Sequence, residues 1–469
     1  MNFERLAPAV SGDVISPAGV SPDSGGFFSV CIDSRAACEG ALFVALRGEA
    51  RDGHDFVAEA FSKGACAALV SREAARSLSA LARDGGKTLI AVDDTLAGLQ
   101  DAAKAYLAGF SGLLKIGITG SVGKTTIKEL ASSIISVEKS VVASRGNYNS
   151  DTGLPLSVFE ARDFHEVGVF EMGMNRRGEM AALAEVLRPD IALISTIGTA
   201  HVGMLGSRQA IAEEKKAIFS KLGEKGVAFV PEDSDFRDFL AQGLRGRLRF
   251  YGEKSLAGFE GARSRGLSGS EIAFEGQRIA FALPGRHNVA NALAAIALAR
   301  EAGASVQAVK SGLEAARPMF ARAEILRLGR ATVIRDCYNS SPESLAEAVA
   351  FCDEAEWPGR RVYVIGDMLE LGAHSRKAHE DMGRLLAGSK ADAVFLFGPE
   401  TEAAEASMRE AAPDRDFSRF CDIDELALAL RKNTRQGDMV LLKGSRGCAL
   451  ERLCAAFDKK EAPGVSGNL

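Results

Sequence analysis

The sequence lacks the features that mark several common classes of protein. Its eight cysteines occur singly among 469 residues, and none shows the Cys-x-x-Cys spacing of a zinc or redox site. No apolar run approaches the roughly 20 residues that a membrane span needs. The net charge of −5 disfavours a nucleic-acid partner, because such proteins usually present a basic face. The first twelve residues carry no basic segment followed by an apolar run, so we expect no secretory signal and a cytoplasmic protein.

What is present is typical of a soluble globular protein with several domains. Hydrophobic residues make up 46% and charged residues 25% of the chain, and the length predicts two to four domains. Apolar runs alternate with helical patterns, which predicts α/β units with mostly parallel sheets. We predict three units, at residues 1–92, 93–317 and 318–469. An antiparallel hairpin is predicted at 267–283 and a disordered tail at 461–469.

The predicted elements are spread over all three units. The predicted helices are 54–65, 93–112 and 288–300, the last closing the second unit. The predicted strands are 27–33, 41–46 and 66–70 in the first unit, 113–119, 167–172, 191–197 and 226–230 in the second, and 331–336, 360–367, 392–398 and 438–444 in the third.

Reactive side chains are predicted to collect at one edge of these sheets. Open α/β sheets bind ligands beyond the carboxyl ends of their strands. A phosphate-binding loop, Glu171, Asp336, Asp367 and Lys443 each end or follow a predicted strand. Their recurrence in the second and third units predicts one site built between those units.

The segment GITGSVGKTTIKEL (117–130) is a phosphate-binding loop in its expected setting, after a strand and before a helix. Glycines let backbone N–H groups turn towards phosphate oxygens, and the helix N-terminus adds a favourable dipole. Lys124 is predicted to reach the β- and γ-phosphates, and Thr125 to offer its hydroxyl to Mg²⁺. The strict pattern has a glycine where this chain has Ile118, which disfavours GTPases and simple P-loop kinases. The loop residues predicted to hold the nucleotide are Gly120, Ser121, Val122, Gly123, Lys124, Thr125 and Thr126.

Two residues are candidate ligands for the metal that accompanies a nucleotide triphosphate. Mg²⁺ takes a few carboxylates and keeps several waters. Glu171 ends a predicted strand beside Gly173 and is well placed to be such a ligand. His201 follows the segment STIGTA, and its spacing leaves a structural role open beside the ligand role.

Lys215 is a candidate of a different kind. It shares one predicted helical face with Ile211 and Phe219, whereas Lys216 points elsewhere. A buried lysine is costly unless it is neutral or paired. A neutral amine can take up CO₂ and become a carbamate, an anionic metal ligand. The alternative is a lysine whose stem packs on the apolar face while its charge reaches solvent.

Together these motifs resemble the Mur ligases of peptidoglycan synthesis over nearly the whole chain. Two departures from the family pattern are Lys216-Ala217 after Lys215, where Gly-Glu is usual, and Ser340-Ser341, where Ala-Asn is usual. The motifs that carry the resemblance are IDSRAACEGALFVALRGEARDGHDF (32–56), GITGSVGKTT (117–126), GNYNSDTGLPLS (146–157), FEMGMNRRGEM (170–180), STIGTAHVGMLGS (195–207), GRHNVANALAA (285–295), RDCYNSSPESL (335–345), GDMLELG (366–372) with His379, and LLKGSRG (441–447).

The resemblance implies a fold and an activity. The fold would be a small N-terminal α/β domain that binds a uridine nucleotide, a central P-loop-type domain with a mostly parallel sheet, and a C-terminal Rossmann-like domain. The activity would be ATP- and Mg²⁺-dependent addition of D-alanyl-D-alanine to UDP-N-acetylmuramoyl-tripeptide through an acyl phosphate. We expect the protein to be a monomer.

The resemblance also assigns roles to individual residues. Lys124, His201 and Lys215 would be catalytic. The metal ligands would be Thr125, Glu171, His201 and carbamylated Lys215. The remaining contacts would be Ser34 and Arg35 near the uridine, Asn147 and Asn149 in the substrate channel, His287, Asn288 and Asn291 near the nucleotide, and Arg322, Asp336, Tyr338 and Asn339 on ATP from the third domain.

Three alternatives stay open at this point. A Mur ligase that adds the third amino acid shares the N-terminal module but usually carries a DNPR motif, which this chain lacks. A folylpolyglutamate synthetase-like ligase lacks the module seen at 32–56. A P-loop switch or scaffold would bind nucleotide without ligation, and Lys215 and the third unit argue against it.

Overall fold

The computed structural model describes residues 1–16 and 25–458, and it has the predicted architecture of three α/β units. The predicted tail at 461–469 lies outside the described residues. Within the described ranges, no helix is both long and apolar enough to cross a membrane.

The first unit is a five-stranded sheet in the order β1-β5-β4-β3-β2, parallel except for β1. The helix predicted at 54–65 begins as a 3-10 turn, Gly53–Phe56, before its α-helical part. The connecting helix predicted at 93–112 is α4, whose first turn is capped by the Asp94 carboxylate. The elements of this unit are α1 (Phe3–Ala9), β1 (Asp13–Ile15), β2 (Ser29–Cys31), β3 (Ala41–Val44), α2 (Val57–Ser62), β4 (Ala67–Ser71), α3 (Arg72–Asp84) and β5 (Thr88–Val92), and α4 (Thr95–Leu107) connects it to the second unit.

The second unit contains a six-stranded parallel sheet in the order β11-β10-β9-β6-β8-β7. The predicted hairpin exists and gains a third antiparallel strand, β12. The helix predicted to close this unit is followed by a further helix, α12. The elements are β6 (Leu114–Thr119), α5 (Lys124–Ile135), β7 (Val141–Ala143), α6 (Gly153–Val158), β8 (Val167–Glu171), α7 (Glu179–Leu187), β9 (Ile191–Ile194), α8 (Val202–Leu205), α9 (Arg208–Lys216), β10 (Val227–Pro231), α10 (Arg237–Ala241), β11 (Arg247–Tyr251), β12 (Phe259–Ser264), β13 (Ser270–Phe274), β14 (Gln277–Phe281), α11 (Arg286–Glu301) and α12 (Val306–Ala315).

The third unit is a six-stranded sheet in the order β15-β16-β20-β17-β18-β19, parallel except for β15. Helix α13 begins with Pro342 behind an N-cap, Ser341, in a reciprocal capping arrangement with Ser344. The elements are β15 (Glu324–Leu328), β16 (Ala331–Asp336), α13 (Pro342–Glu354), β17 (Arg361–Gly366), α14 (Ser375–Ala387), β18 (Ala393–Phe397), α15 (Glu402–Ala411), β19 (Phe417–Phe420), α16 (Ile423–Asn433), β20 (Met439–Lys443) and α17 (Cys454–Asp458).

The core joins the units instead of stopping at each boundary. Helix α4 buries Leu99, Ala103 and Leu107, and it packs against α1 of the first unit and against α6 and α7 of the second. One continuous apolar cluster therefore runs from the first unit into the second. The carboxyl ends of β6, β8 and β9 open towards the third unit, and this edge carries the phosphate-binding loop.

Candidate nucleotide and metal site between two units

A cavity of about 980 Å³ lies along the carboxyl edge of the central sheet and is closed on one side by the third unit. The predicted nucleotide, metal and channel residues that line it are Ser121, Val122, Gly123, Lys124, Thr125, Thr126, Asn147, Asn149, Glu171, His201, His287, Asn288, Asn291, Arg322, Asp336, Tyr338 and Asn339. Residues scattered over more than 200 positions of sequence are therefore brought to one site.

The phosphate-binding loop is fixed by the segment that follows β9. The backbone N–H groups of Ser121 and Val122 donate to the carbonyl and hydroxyl of Thr196, at 2.9 and 3.0 Å. The Ser195 hydroxyl donates to the Val122 carbonyl at 2.5 Å. Gly123 has φ +87°, a conformation that favours glycine, and it starts α5 at the edge of the cavity. The N-terminus of α5 is thereby directed at the cavity, which suits an anionic ligand.

Two lysines share one acceptor beneath this loop. Lys124 Nζ donates to the Gly120 carbonyl at 2.8 Å, and Lys215 Nζ donates to the same oxygen at 3.1 Å. Lys215 is 1% exposed and lies behind the loop, outside the cavity lining. Burial, together with the Lys124 charge, lowers the pKa of Lys215 well below its usual value. Burial also lowers the pKa of Lys124, and the Glu171 carboxylate opposes that shift.

Glu171 is a buried carboxylate with one unused oxygen. Its Oε1 accepts a hydrogen bond from Asn149 Nδ2 at 2.6 Å, whereas its Oε2 is buried without a partner. Its backbone N–H donates to the Ser144 hydroxyl at 3.1 Å. Burying a carboxylate oxygen without a partner is costly, so this atom is suited to a cation.

These residues fit a Mg²⁺ ion that is shared with a nucleotide. Among the described residues, no three His, Cys, Asp or Glu side chains cluster as a protein-only metal cage. Mg²⁺ in nucleotide sites is usually held by one or two carboxylates, waters and phosphate oxygens, so no such cage is needed. The unpartnered oxygen of Glu171 and the Thr125 hydroxyl supply donors of the required hard type.

The third unit reaches the loop directly. An Arg322 guanidinium nitrogen donates to the Thr125 hydroxyl at 3.1 Å, and the guanidinium stacks over the Tyr338 ring at 4.2 Å. Lys443, which is 2% exposed, forms an ion pair with Asp336 at 2.9 Å and donates to the Asn339 carbonyl. Cationic and aromatic groups of the third unit therefore face the phosphate-binding loop.

Helix α11 contributes the amide and imidazole groups predicted near the nucleotide. His287 Nδ1 is buried without a partner, and desolvation lowers the pKa of this imidazole. Asn288 donates to the Pro284 carbonyl at 2.7 Å, and Asn291 donates to Asn288 at 3.3 Å. Asn291 also lies against Gly123, where any side chain would collide with it.

One sequence prediction is wrong, and two others stay untested. Asp367 ends its strand as predicted, but it is buried at 4% exposure and accepts the Thr401 N–H instead of lining the cavity. Its placement in the site was wrong, because neighbouring backbone groups occupy it. The residues predicted near a uridine, Ser34 and Arg35, lie in the first unit and outside this cavity. Ser34 donates to Glu59 at 2.7 Å, and the exposed Arg35 pairs with Asp33 at 2.7 Å. Their proximity to a uridine stays a prediction.

Lys128 is a site-supporting residue that sequence reasoning missed. It is 0% exposed, and its Nζ donates to the Ser144 carbonyl at 2.6 Å. Ser144 holds the backbone of Glu171, so Lys128 connects α5 to the strand end that carries this carboxylate. The sequence feature that could have indicated this role is its position four residues after Lys124, which puts both lysines on the same face of α5.

We expect Lys128→Met to lower the free energy of unfolding by about 1–3 kcal/mol, because it leaves the Ser144 carbonyl unsatisfied in the interior. The loosened Glu171 should also raise the KM for ATP about tenfold, within the range seen when supporting contacts of metal ligands are lost. Urea denaturation and steady-state kinetics measure the two effects. Lys115→Met, which removes an ion pair with Asp190 at the opposite end of the sheet, is the control for the KM effect. An unchanged KM in Lys128→Met would contradict the connection.

Comparison with known proteins places these features in a family. The sequence profile of the Mur ligase middle domain matches residues 118–299, and that of the Mur ligase glutamate ligase domain matches 321–446. A profile described as the Mur ligase family catalytic domain matches residues 28–107. Together these profiles cover most of the chain. The chain belongs to the Mur ligase family.

Individual Mur ligases match over almost their full length. The UDP-N-acetylmuramoyl-tripeptide–D-alanyl-D-alanine ligase of Treponema pallidum is 43% identical, over 97% of this chain and 98% of the relative. The crystal structure of MurF from Acinetobacter baumannii superposes with a TM-score of 0.86 at 29% identity, covering 97% of this chain and 98% of that one. The Thermotoga maritima MurF ligase in complex with ADP superposes with a TM-score of 0.79 at 27% identity, covering 92% and 96%. The family membership and the three-domain fold expected from the sequence are confirmed.

Proposed function

We propose that this chain is an ATP-dependent ligase that adds D-alanyl-D-alanine to UDP-N-acetylmuramoyl-tripeptide, giving the pentapeptide, ADP and phosphate for peptidoglycan synthesis. The observation that carries the proposal is the 43% identity with a ligase of that name over 97% of the chain. The cavity supports it independently, because a phosphate-binding loop and a partnerless carboxylate oxygen face each other there.

The reaction needs an activated carboxylate, because a carboxylate does not condense with an amine in water. The terminal carboxylate oxygen of the tripeptide attacks the γ-phosphorus of ATP, and the bond from that phosphorus to the bridging oxygen of ADP breaks. The amine nitrogen of D-alanyl-D-alanine then attacks the acyl carbon of the acyl phosphate. The carbon–oxygen bond breaks, phosphate leaves, and the nitrogen loses a proton to solvent as the amide forms.

In this reaction the protein positions the substrates and neutralises the charge of the phosphates. Lys124 at the N-terminus of α5 would bind the β- and γ-phosphates, and Arg322 would approach them from the third domain. Thr125, Glu171, His201 and a carbamylated Lys215 would hold Mg²⁺, which supplies charge stabilisation on the transferring phosphoryl group. Asn147 and Asn149 would border the channel of the tripeptide, and Ser34 and Arg35 would lie near its uridine.

Nucleotide contacts from α11 and the third domain complete the proposed site. The residues assigned to them are His287, Asn288, Asn291, Asp336, Tyr338 and Asn339, together with Gly120 to Thr126 of the loop. We assign the N-terminal domain to the UDP-linked substrate, with boundaries at 92 and 317. A monomer acting in the cytoplasm, where ATP is available, is consistent with this scheme.

Phosphate release is the direct test of the proposal. We expect release at an enzymatic rate only when ATP, Mg²⁺, UDP-N-acetylmuramoyl-tripeptide and D-alanyl-D-alanine are all present, because the acyl phosphate forms on one substrate and is consumed by the other. Omitting either substrate should abolish sustained release, and removing Mg²⁺ with EDTA should do the same. Mass spectrometry of the product should show the tripeptide extended by two alanines.

Two results would count against the assignment. Sustained phosphate release without the tripeptide would indicate a simple nucleotide hydrolase or switch. Release supported by glutamate or a single amino acid in place of the dipeptide would indicate one of the other ligases of this superfamily.

A further inference from the structure

The segment after β9 is held by the third domain at four points. The Thr199 N–H and hydroxyl donate to the Glu343 carboxylate, at 2.7 and 3.1 Å. The Gly203 N–H donates to the Glu370 carbonyl at 3.2 Å, and His374 Nε2 lies 3.3 Å from the Gly206 carbonyl. The fourth contact joins the side chain of His201, near the middle of this segment, to the side chain of Glu370 from the third domain.

The contact between His201 and Glu370 selects one tautomer of the imidazole. His201 Nδ1 lies 3.0 Å from Glu370 Oε2, and a neutral imidazole must donate from that nitrogen to make this hydrogen bond. Its other nitrogen, Nε2, is then the one with a free lone pair. His201 lines the cavity with an exposed fraction of 18%, whereas the Glu370 carboxylate reaches it from outside the lining.

Both partners have an unusual backbone conformation. His201 has φ +66° and Glu370 has φ +65°, in the left-handed region that non-glycine residues seldom occupy. Such residues cost free energy and persist where the surrounding structure demands them, often at functional sites. These two residues contact each other through their side chains across a domain interface. Their backbone conformations are an observation separate from the hydrogen bond between the side chains.

The exposed fraction of the Glu370 side chain indicates that it positions His201 and adds little to the stability of the fold. Its side chain is 59% exposed, and ion pairs at such exposure add little to folding. A carboxylate on the outer nitrogen of a metal-binding histidine instead orients the ring and fixes its tautomer, and its loss typically costs 10–100-fold in metal affinity. The geometry therefore favours a role in arranging His201.

We propose that Glu370 is a positioning residue of the metal site, holding His201 as the Nδ1–H tautomer so that Nε2 faces the cavity. The inference rests on the proposed function in one respect, since His201 must belong to the Mg²⁺ site. It adds a third-domain residue behind a set of proposed metal ligands that all belong to the central domain. Among the described residues of the central domain, none bonds to the His201 ring in a way that would fix its tautomer.

The test measures the tautomer of His201 and the affinity for a divalent metal in separate experiments. Nitrogen-15 NMR on histidine-labelled protein reports the tautomer, and the chain has only six histidines to assign. We expect the wild-type His201 signals to show Nδ1–H and Glu370→Ala to shift them towards the Nε2–H form. Electron paramagnetic resonance of Mn²⁺ in the presence of ADP should show affinity reduced about tenfold or more in Glu370→Ala.

Two further variants make the result specific. Glu370→Gln keeps an oxygen that can accept from Nδ1–H, so it should retain the wild-type tautomer and most of the Mn²⁺ affinity. Glu380→Gln removes a carboxylate from exposed ion pairs on α14 and should change neither measurement. Melting temperatures of all variants should lie within a few degrees of the wild-type value.

Either of two outcomes would overturn the inference: a wild-type His201 that carries its proton on Nε2, or a Glu370→Ala variant with unchanged tautomer and Mn²⁺ affinity. Neither measurement uses the tripeptide or the dipeptide. A failure of the proposed ligase activity would appear in phosphate release and would leave these two readouts intact.

Discussion

Replacing Lys215 by alanine should lower the rate of D-alanyl-D-alanine ligation at least about a hundredfold. The side chain is 1% exposed, and its depressed pKa favours the neutral amine that CO₂ can convert to a carbamate. Losing an anionic metal ligand removes charge stabilisation of the transferring phosphoryl group, a contribution of several kcal/mol. Phosphate release with both substrates present measures the effect.

The neighbouring lysine provides the matched control for this prediction. Lys216 points away from the loop, donates to the Phe239 carbonyl at 2.7 Å and packs its ammonium over the Phe239 ring. Lys216→Ala should retain activity within a few-fold. Acetate or formate should partly restore Lys215→Ala, because a small carboxylate can occupy the space of the carbamate. A Lys215→Ala enzyme with full activity would remove the carbamate from the mechanism.

Lys124→Met should reduce kcat/KM for ATP by about a thousandfold. The methionine is unbranched and only one atom shorter than lysine, but it removes the charge that would neutralise the β- and γ-phosphates. Single preorganised donors already contribute about 10²–10³-fold. The loop itself should stay folded, since its shape depends on bonds from Ser121 and Val122 to Thr196. Initial rates over a range of ATP concentrations measure the loss.

A surface lysine serves as the comparison for Lys124. Lys221 pairs with Glu185 on the exterior at 2.6 Å, so Lys221→Met should behave like the wild-type enzyme. The unfolding midpoints of the two variants should agree within a few degrees. A Lys124→Met enzyme that kept its kcat/KM would show that this lysine does not bind the phosphates.

The parts of the site that sequence could predict are those governed by local rules. The phosphate-binding loop needs only its own glycines, the strand before it and the helix after it, and all of these are contiguous. Lys215 was predictable because helical spacing alone puts it among Ile211 and Phe219, and both residues are buried in the structure. Helical periodicity alone was therefore enough to predict an unusual buried lysine.

The parts that sequence missed depend on contacts between distant segments. Glu343 accepts a hydrogen bond from Thr199, and Glu370 contacts His201. Each pair is separated by more than 140 residues, so no local sequence pattern predicts it. Asp367 shows the opposite failure. The strand-end rule predicted a ligand position, but the turn at Gly398 and the Thr401 N–H surround its carboxylate.

The missed strands have a similar cause. Strands β1, β15 and β19 lie at sheet edges and bury little side-chain surface, so their apolar patterns are short or interrupted. Central strands such as β17 and β20 are apolar almost throughout and were predicted within one or two residues. Strands that are buried on both faces could be predicted from the sequence because nearly all of their residues are apolar.

The carbonyl of Gly120 limits which residues this position can hold. One oxygen accepts from the side-chain nitrogens of both Lys124 and Lys215, and its direction depends on a backbone φ of +148° that only glycine adopts freely. A side chain at this position would also overlap Ser195. Any mutation here would misdirect both lysines at once, so a residue that contributes no chemistry of its own is less free to vary than many that do.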